Sequence, residues 1–260
     1  MDENAHIGPE PRPSPLRLSV VTPAYNEADN LRPLHAALLA LMPTLSADWE
    51  WIVVDDHSSD ATFDVITALA QADAHVRGAR LARRSGSHAA IRCGLLEACG
   101  DAVAFLAADL QDPPDLLVAM LGEWRAGAPV VWGVPATTAA GWSSRLYHRL
   151  VRAVGGRRGM PRDGAACFLI DRRVVQQLRV TPSPALDVLA QIGAFDFPFA
   201  IVAYDRPQRL HGRSSWTLRR KLTFALASLI SLSPLGRLRA PFVCAIESHV
   251  RGGLGSTIEK

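Results

Sequence analysis

No run of this sequence reaches the roughly 18 to 20 apolar residues that a membrane-spanning helix needs. The longest candidate, Leu222 to Leu235, is too short and is broken by Thr223, Ser228, Ser231, Ser233 and Pro234. No secretory signal is expected in the opening MDENAHIGPEPRPSP, which is acidic, polar and proline-rich with no apolar core. Residues 1–15 are expected to form a disordered leader, and the protein to be cytoplasmic. Cysteine is scarce: Cys93, Cys99, Cys167 and Cys244 show no CxxC pair and no metal-like spacing, so reduced, packed thiols are expected rather than a disulfide framework. His57, His88 and His211 likewise fall at no metal-like spacing and read as surface or capping groups. Acid is absent from two stretches: Arg206 to Ile246 holds eight Lys or Arg, and Trp142 to Arg162 holds six Arg. Such patches suit phosphates or acidic lipid head groups. Aromatic residues are not interleaved with these charges, which argues against nucleic acid. There is no internal repeat.

What is present is enough for a full core. At 260 residues with 48% hydrophobic and 20% charged content, the chain can bury one α/β domain, with or without a tail. Strand-like runs at Leu16–Thr22, Glu50–Val54, Val76–Leu81, Ala102–Ala107 and Val130–Val134 alternate with helix-like runs, the pattern of a mostly parallel sheet with crossover helices. Asp29 or Asn30 can cap a first helix with Pro33 in its first turn. Further helices are read from Asp60 to Ala72, from His88 to Cys99, and from Pro113 to Arg125. Later, helices at Ser143–Val154 and Arg172–Leu178 flank the apolar run Ala165–Ile170, and Phe199–Tyr204 reads as a late strand. From Trp216 on, Leu218, Leu222, Leu226 and Leu229 share one helical face behind Arg219, Arg220 and Lys221. That pattern fits an interfacial helix, or a core helix docked on the same domain.

Three strand ends carry polar groups. After Val21 the chain turns through Thr22, Pro23, Ala24, Tyr25, Asn26 and Glu27, where Tyr25 can stack on a base and Glu27 bond its edge, or where a plain strand-to-helix turn would suffice. Asp55 and Asp56 follow the apolar Ile52, Val53 and Val54; either could accept from a base N–H or ribose hydroxyl, or cap the turn. The run AFLAADLQDPPD puts Asp109, Gln111 and Asp112 at the mouth of an apolar strand, where oxygen ligands suit a hard divalent cation holding a diphosphate. Asp109 and Gln111 are the candidate metal ligands, and Asp112, before two prolines, is expected to cap the next helix.

In order and spacing, PAYNE, VVDDHSSD, GDAVAFLAADLQDPPDLL, CFLIDRRVV and RLHGRSSWTLRRKL resemble family 2 glycosyltransferases of the GT-A fold. Most closely they look like the polyprenyl-phosphate sugar transferases, the group of dolichyl-phosphate mannose synthases and undecaprenyl-phosphate glucosyl or aminoarabinosyl transferases. The resemblance runs from about Leu16 to Arg239. It implies a GT-A domain over residues 16–215, a Rossmann-like mostly parallel sheet flanked by helices, followed by an amphipathic helical tail over 216–260. It implies a nucleotide-sugar donor held by Pro23, Tyr25, Glu27, Asp55, Asp56 and Asp109. It also implies Mg²⁺ or Mn²⁺ on Asp109 and Gln111, phosphate contacts from Arg209 and Ser214, and Asp163 near the acceptor. A polyprenyl phosphate or a small-molecule acceptor, and a peripheral position on the inner face of an anionic membrane, complete the expectation.

The chain departs from the family at four places. Ala107 stands where the first Asp of DAD is usual, and Arg84, Ser85, Gly86 and Ser87 replace an Asn-Phe-Gly-His run. Ala165, Ala166, Cys167 and Phe168 replace GDFR, and Ser215 replaces the Lys of GESK. A different donor or acceptor, or a scaffold without catalysis, would each account for these losses.

Overall fold

The computed structural model describes residues 16–45, 47–136, 159–161, 164–181, 187–206 and 244–252. Asp163, Arg209, Ser214, Ser215, the leader, the Ser143–Val154 helix and the basic helix after Trp216 lie outside the described residues. In chain order the elements are β1 (Leu16–Ala24), α1 (Ala28–Leu45), β2 (Ala47–Asp55), α2 (Thr62–Ala72), β3 (Val76–Leu81), α3 (Ser87–Glu97) and β4 (Ala102–Phe105). They continue with α4 (Leu116–Arg125), β5 (Val130–Pro135), β6 (Cys167–Asp171), α5 (Arg172–Val180), α6 (Val188–Ala194), β7 (Phe199–Tyr204) and β8 (Ile246–Arg251).

These strands form one eight-stranded sheet in the order β7-β5-β6-β4-β1-β2-β3-β8. β3, β2, β1 and β4 run parallel. β6 is antiparallel to both β4 and β5, and β7 is parallel to β5. The carboxyl ends of β1, β2, β3, β4, β5 and β7 therefore open at one edge, where ligands of open α/β sheets bind. The near-continuous burial of Val20, Val21, Ile52, Val53, Val54 and Val103 is what a sheet covered on both faces requires.

Helix α3 packs on β1 and β2, and α4 on β5 and β6. The α3 contact is close because Gly94 has no side chain: a Cβ there would meet Val21 Cγ1 at 2.4 Å. The core includes Trp51, Trp124, Trp132 and Phe168, all fully buried. Each of those indole N–H groups has a partner: Thr22 Oγ1 at 2.9 Å, Asp171 Oδ2 at 3.1 Å and Gly159 O at 2.9 Å, respectively.

Four expectations need correction. Cys93 and Cys244 are joined by a disulfide across 151 residues of sequence, while Cys99 and Cys167 are free thiols. The pairing was invisible because α3 and the lead-in to β8 meet only in the folded sheet. Residues 246–251, assigned by sequence to a helical tail, form β8 instead, antiparallel to β3. Pro33 falls in the second turn of α1, since the helix starts at Ala28. Asp112 does not cap α4, whose N-cap is Asp115; its carboxylate has other partners, described below. Among the described residues no helix is long and apolar enough to cross a membrane.

Candidate functional site

The turns after β1 and β2 are built as one unit. Asp56 N–H donates to Ala24 O at 2.8 Å, and Ser58 Oγ accepts from Asn26 N–H at 3.0 Å. Asn26 Oδ1 accepts from Ser59 N–H at 3.0 Å, and Glu27 N–H donates to Thr62 Oγ1 at 2.9 Å. Asn26 and His57 both adopt left-handed backbone, φ 55° and 58°. Glu27 receives the Asn30 side-chain amide at 2.6 Å. Pro23 pairs with Val54 in the parallel β1/β2 register, which closes one residue later at Ala24 and Asp55.

The two carboxylates after Val54 do different work. Asp55 is fully buried; one oxygen accepts from Ser58 N–H at 3.0 Å and from the Ser58 hydroxyl, and the other lies 3.6 Å from Arg80 Nε. It holds its own turn. Asp56 reaches the loop after β3, accepting from Ser85 N–H at 2.5 Å and Gly86 N–H at 2.8 Å. Burial pushes the Asp56 carboxyl above its ordinary value, against the pull of those two amides and of Arg84. Gly86 has φ 97°, a conformation that favours glycine, and it leads directly into α3. The Arg84 guanidinium lies 3.7 Å from the Tyr25 ring centroid, a cation–π contact that brings the β1 and β3 loops together. Arg84 was read from the sequence only as a lost Asn; its distance from Tyr25 along the chain hid the stacking.

β4 lies beside β1, with Leu106 N–H donating to Val21 O at 3.1 Å. The loop after it carries the buried Asp109, whose Oδ1 accepts from Gln111 N–H at 3.3 Å. Between them Leu110 sits at φ 56°. Left-handed backbone costs a bulky side chain about 1–2 kcal/mol, so this turn is strained where its ligand candidates stand. A carboxylate and an amide on alternate residues are hard oxygen donors, and they fit a divalent cation whose remaining positions go to substrate phosphates and water. Ala107 adds no donor, and among the described residues no group of three or more His, Cys, Asp or Glu is placed to hold a metal by itself.

Asp112 is fully buried and takes partners from β7 and the residues beyond it. The Tyr204 hydroxyl donates to Oδ1, Arg206 Nε lies 3.2 Å from Oδ1, and Arg206 Nη2 donates to Oδ2 at 3.5 Å. Burial raises the Asp112 carboxyl, opposed chiefly by the Arg206 cation. Sequence reasoning missed Tyr204 and Arg206 because their partner lies 92 and 94 residues away. On the next strand over, Ala165 and Ala166 lead into β6, with Ala166 N–H bonded to Gly133 O at 3.0 Å.

Pro23, Tyr25, Glu27, Asp55, Asp56, Asp109 and Gln111 thus all lie at the carboxyl edge of β1, β2 and β4, though Asp55 faces inward. In open α/β sheets ligands bind outside the carboxyl ends of the strands, which is where these carboxylates and left-handed turns stand. The chain belongs to glycosyl transferase family 2, whose profile matches residues 19–178. A glycosyltransferase of Synechocystis, itself uncharacterized, is 30% identical over 224 residues, 85% of this chain and 70% of that protein. The undecaprenyl-phosphate 4-deoxy-4-formamido-L-arabinose transferase of Enterobacter is 28% identical over 234 residues, 85% and 70% of the two chains. In fold, the chain resembles the glucosyl-3-phosphoglycerate synthase of Mycobacterium tuberculosis solved with Mn²⁺, UDP and phosphoglyceric acid. The TM-score is 0.62 at 20% identity, covering 94% of this chain and 86% of that one. The protein is a glycosyltransferase with a GT-A fold, as its sequence pattern implied.

Proposed function

We propose that the protein is an inverting, divalent-cation-dependent transferase that moves a sugar from a nucleotide diphosphate to a polyprenyl phosphate. The observation that carries this reading is the set of polar turns at the ends of the adjacent strands β4, β1 and β2, with Asp109 and Gln111 after β4 and the Tyr25–Arg84–Asp56 cluster after β1, β2 and β3. Tyr25 and Arg84 offer a flat, polarised wall for a base, and Glu27 and Asp56 supply acceptors for base or ribose. Asp109 and Gln111 would hold Mg²⁺ or Mn²⁺, which when bound neutralises charge on the departing diphosphate. The acceptor oxygen attacks the anomeric carbon as the bond to the diphosphate oxygen breaks, so configuration inverts in one displacement. A phosphate acceptor arrives ionised and needs little general-base help; a hydroxyl would need a base, and Asp163 is the candidate. Arg209 and Ser214 would bind phosphate, with the basic segment against the inner face of an anionic membrane.

The polyprenyl phosphate is favoured by the relative that uses undecaprenyl phosphate. A small soluble acceptor is the second reading, supported by the fold neighbours crystallised with phosphoglyceric acid and by the loss of polar side chains at Ala165 and Ala166. The deciding assay incubates UDP-, GDP-, CDP- and TDP-sugars with Mn²⁺ or Mg²⁺ and either undecaprenyl phosphate or phosphoglyceric acid, for the parent and for Asp163→Asn. Lipid-linked product from both proteins supports the first reading and removes Asp163 from catalysis. Soluble product lost in Asp163→Asn supports the second. Nucleotide binding without product from any combination would refute transfer to either acceptor.

A further inference from the structure

The loop that carries the candidate cation ligands is tied, across two intervening strands, to the point where the basic segment leaves the sheet. In the order β7-β5-β6-β4, Asp112 follows β4 and Tyr204 closes β7, yet the Tyr204 hydroxyl donates to Asp112. Arg206, two residues further, straddles the same carboxylate at 3.2 and 3.5 Å. Residue 207 then begins the stretch that contains Arg209 and Ser214. The buried thiol of Cys167 at the start of β6 also interacts with Tyr204.

A fully buried carboxylate is costly unless charged and hydrogen-bonding partners meet it, and Asp112 has both. Its place in the loop adds a second reason. Leu110 holds a left-handed conformation that a leucine keeps only where the surroundings over-determine it. Two residues later, the contacts of Asp112 fix one end of that turn.

We infer that Asp112 is a positioning residue: through Tyr204 and Arg206 it holds the Asp109–Leu110–Gln111 turn in register with the start of the basic segment. One contact thereby fixes the turn that carries the candidate cation ligands. The inference rests on the donor-binding reading above.

The test is calorimetric titration of UDP, GDP, CDP and TDP, each with and without MnCl₂, into the parent and into Asp112→Asn, Tyr204→Phe, Arg206→Lys and Arg206→Ala. Removing a group that orients metal ligands typically costs about 10- to 100-fold in metal affinity. The Mn²⁺ enhancement of nucleotide affinity should fall by that factor in Asp112→Asn and by less in Tyr204→Phe. Arg206→Lys, which keeps the charge, should restore part of it relative to Arg206→Ala. Affinity without metal should stay at the parent level, a separation that general loosening of the fold would not give. Parent-like enhancement in all the variants overturns the inference, as does a metal-free affinity that falls in the same proportion. Should Asp112→Asn fail to fold, unchanged enhancement in both Tyr204→Phe and Arg206→Ala overturns it equally. No nucleotide binding by the parent, with Mn²⁺ or Mg²⁺, would instead refute the donor-binding reading and the inference with it.

Discussion

Glu50, in the amino-terminal half of β2, and Asp56, just past its carboxyl end, stand six residues apart, and their surroundings push them in opposite directions. At the amino edge, burial opposes ionisation of Glu50, but Ser19 Oγ at 2.6 Å, Arg77 at 2.7 Å and Cys99 N–H at 2.7 Å outweigh it. The carboxyl is held below its ordinary value of 4.5. Arg77 in turn pairs with Glu97 at 3.3 Å, so the network closes on itself. At the carboxyl edge, burial wins for both Asp56 and Asp112, and three turns there adopt left-handed backbone at Asn26, His57 and Leu110. One edge of the sheet spends its polar groups on stability, while the other keeps raised carboxyls and strained turns, the usual companions of a working site.

If the amino edge is structural, breaking it should cost stability alone. Removing one partner from a buried ion pair costs about 3–5 kcal/mol, so Glu50→Gln should lower the denaturation midpoint strongly while leaving nucleotide affinity per folded molecule unchanged. The pH sense follows from its depressed value. Glu50 contributes fully above the pKa it has in the unfolded chain, and that contribution is lost as the pH falls through the lower folded value. Acid unfolding curves should therefore lose their steepest part in Glu50→Gln. A parent-like curve would show that the network is not what holds this edge.

At the other edge the effects should reverse. Loss of charge neutralisation on a diphosphate is worth several kcal/mol, so Asp109→Ala should slow sugar transfer by about 100- to 1,000-fold with little change in melting temperature; Gln111→Ala should cost less. A variant that unfolds rather than slows would make Asp109 a structural residue like Glu50. Asp56→Asn should weaken nucleotide binding by about 10-fold, because one of two charge-assisted amide contacts to the Ser85–Gly86 loop loses its acceptor. Calorimetry checks this directly, and unchanged affinity would detach that loop from the donor site. The smallest effects belong to the basic segment: neutralising Arg219, Arg220 or Lys221 singly should cost about 1 kcal/mol each in binding to anionic vesicles, screened by salt. Equal binding to neutral vesicles would remove the electrostatic contribution.

The sequence revealed most where the physics is local. Apolar runs placed β1 to β5, because a buried strand must be apolar over its own length, and the apolar run Phe199–Tyr204 gave the full extent of β7, a half-exposed strand at the edge of the sheet. The same runs led to the acids that follow them, and so to Asp56 and Asp109. What stayed hidden depends on residues far apart in the chain: the Cys93–Cys244 bridge, the edge strand β8, Arg84 over Tyr25, and Asp112 with Tyr204 and Arg206. Asp55 and Asp56 show the limit most clearly. Adjacent in sequence and equally acidic, they separate only once the fold turns one inward to Ser58 and the other outward to the β3 loop.

The most direct test of a site built on the carboxyl edge is the Mn²⁺ dependence of nucleotide diphosphate affinity, measured by calorimetry for the parent and for Asp109→Ala. The parent should bind at least one of UDP, GDP, CDP and TDP more tightly with Mn²⁺ than without, and Asp109→Ala should bind that nucleotide with the parent's metal-free affinity and no Mn²⁺ enhancement. The same enhancement in both proteins would contradict the assignment.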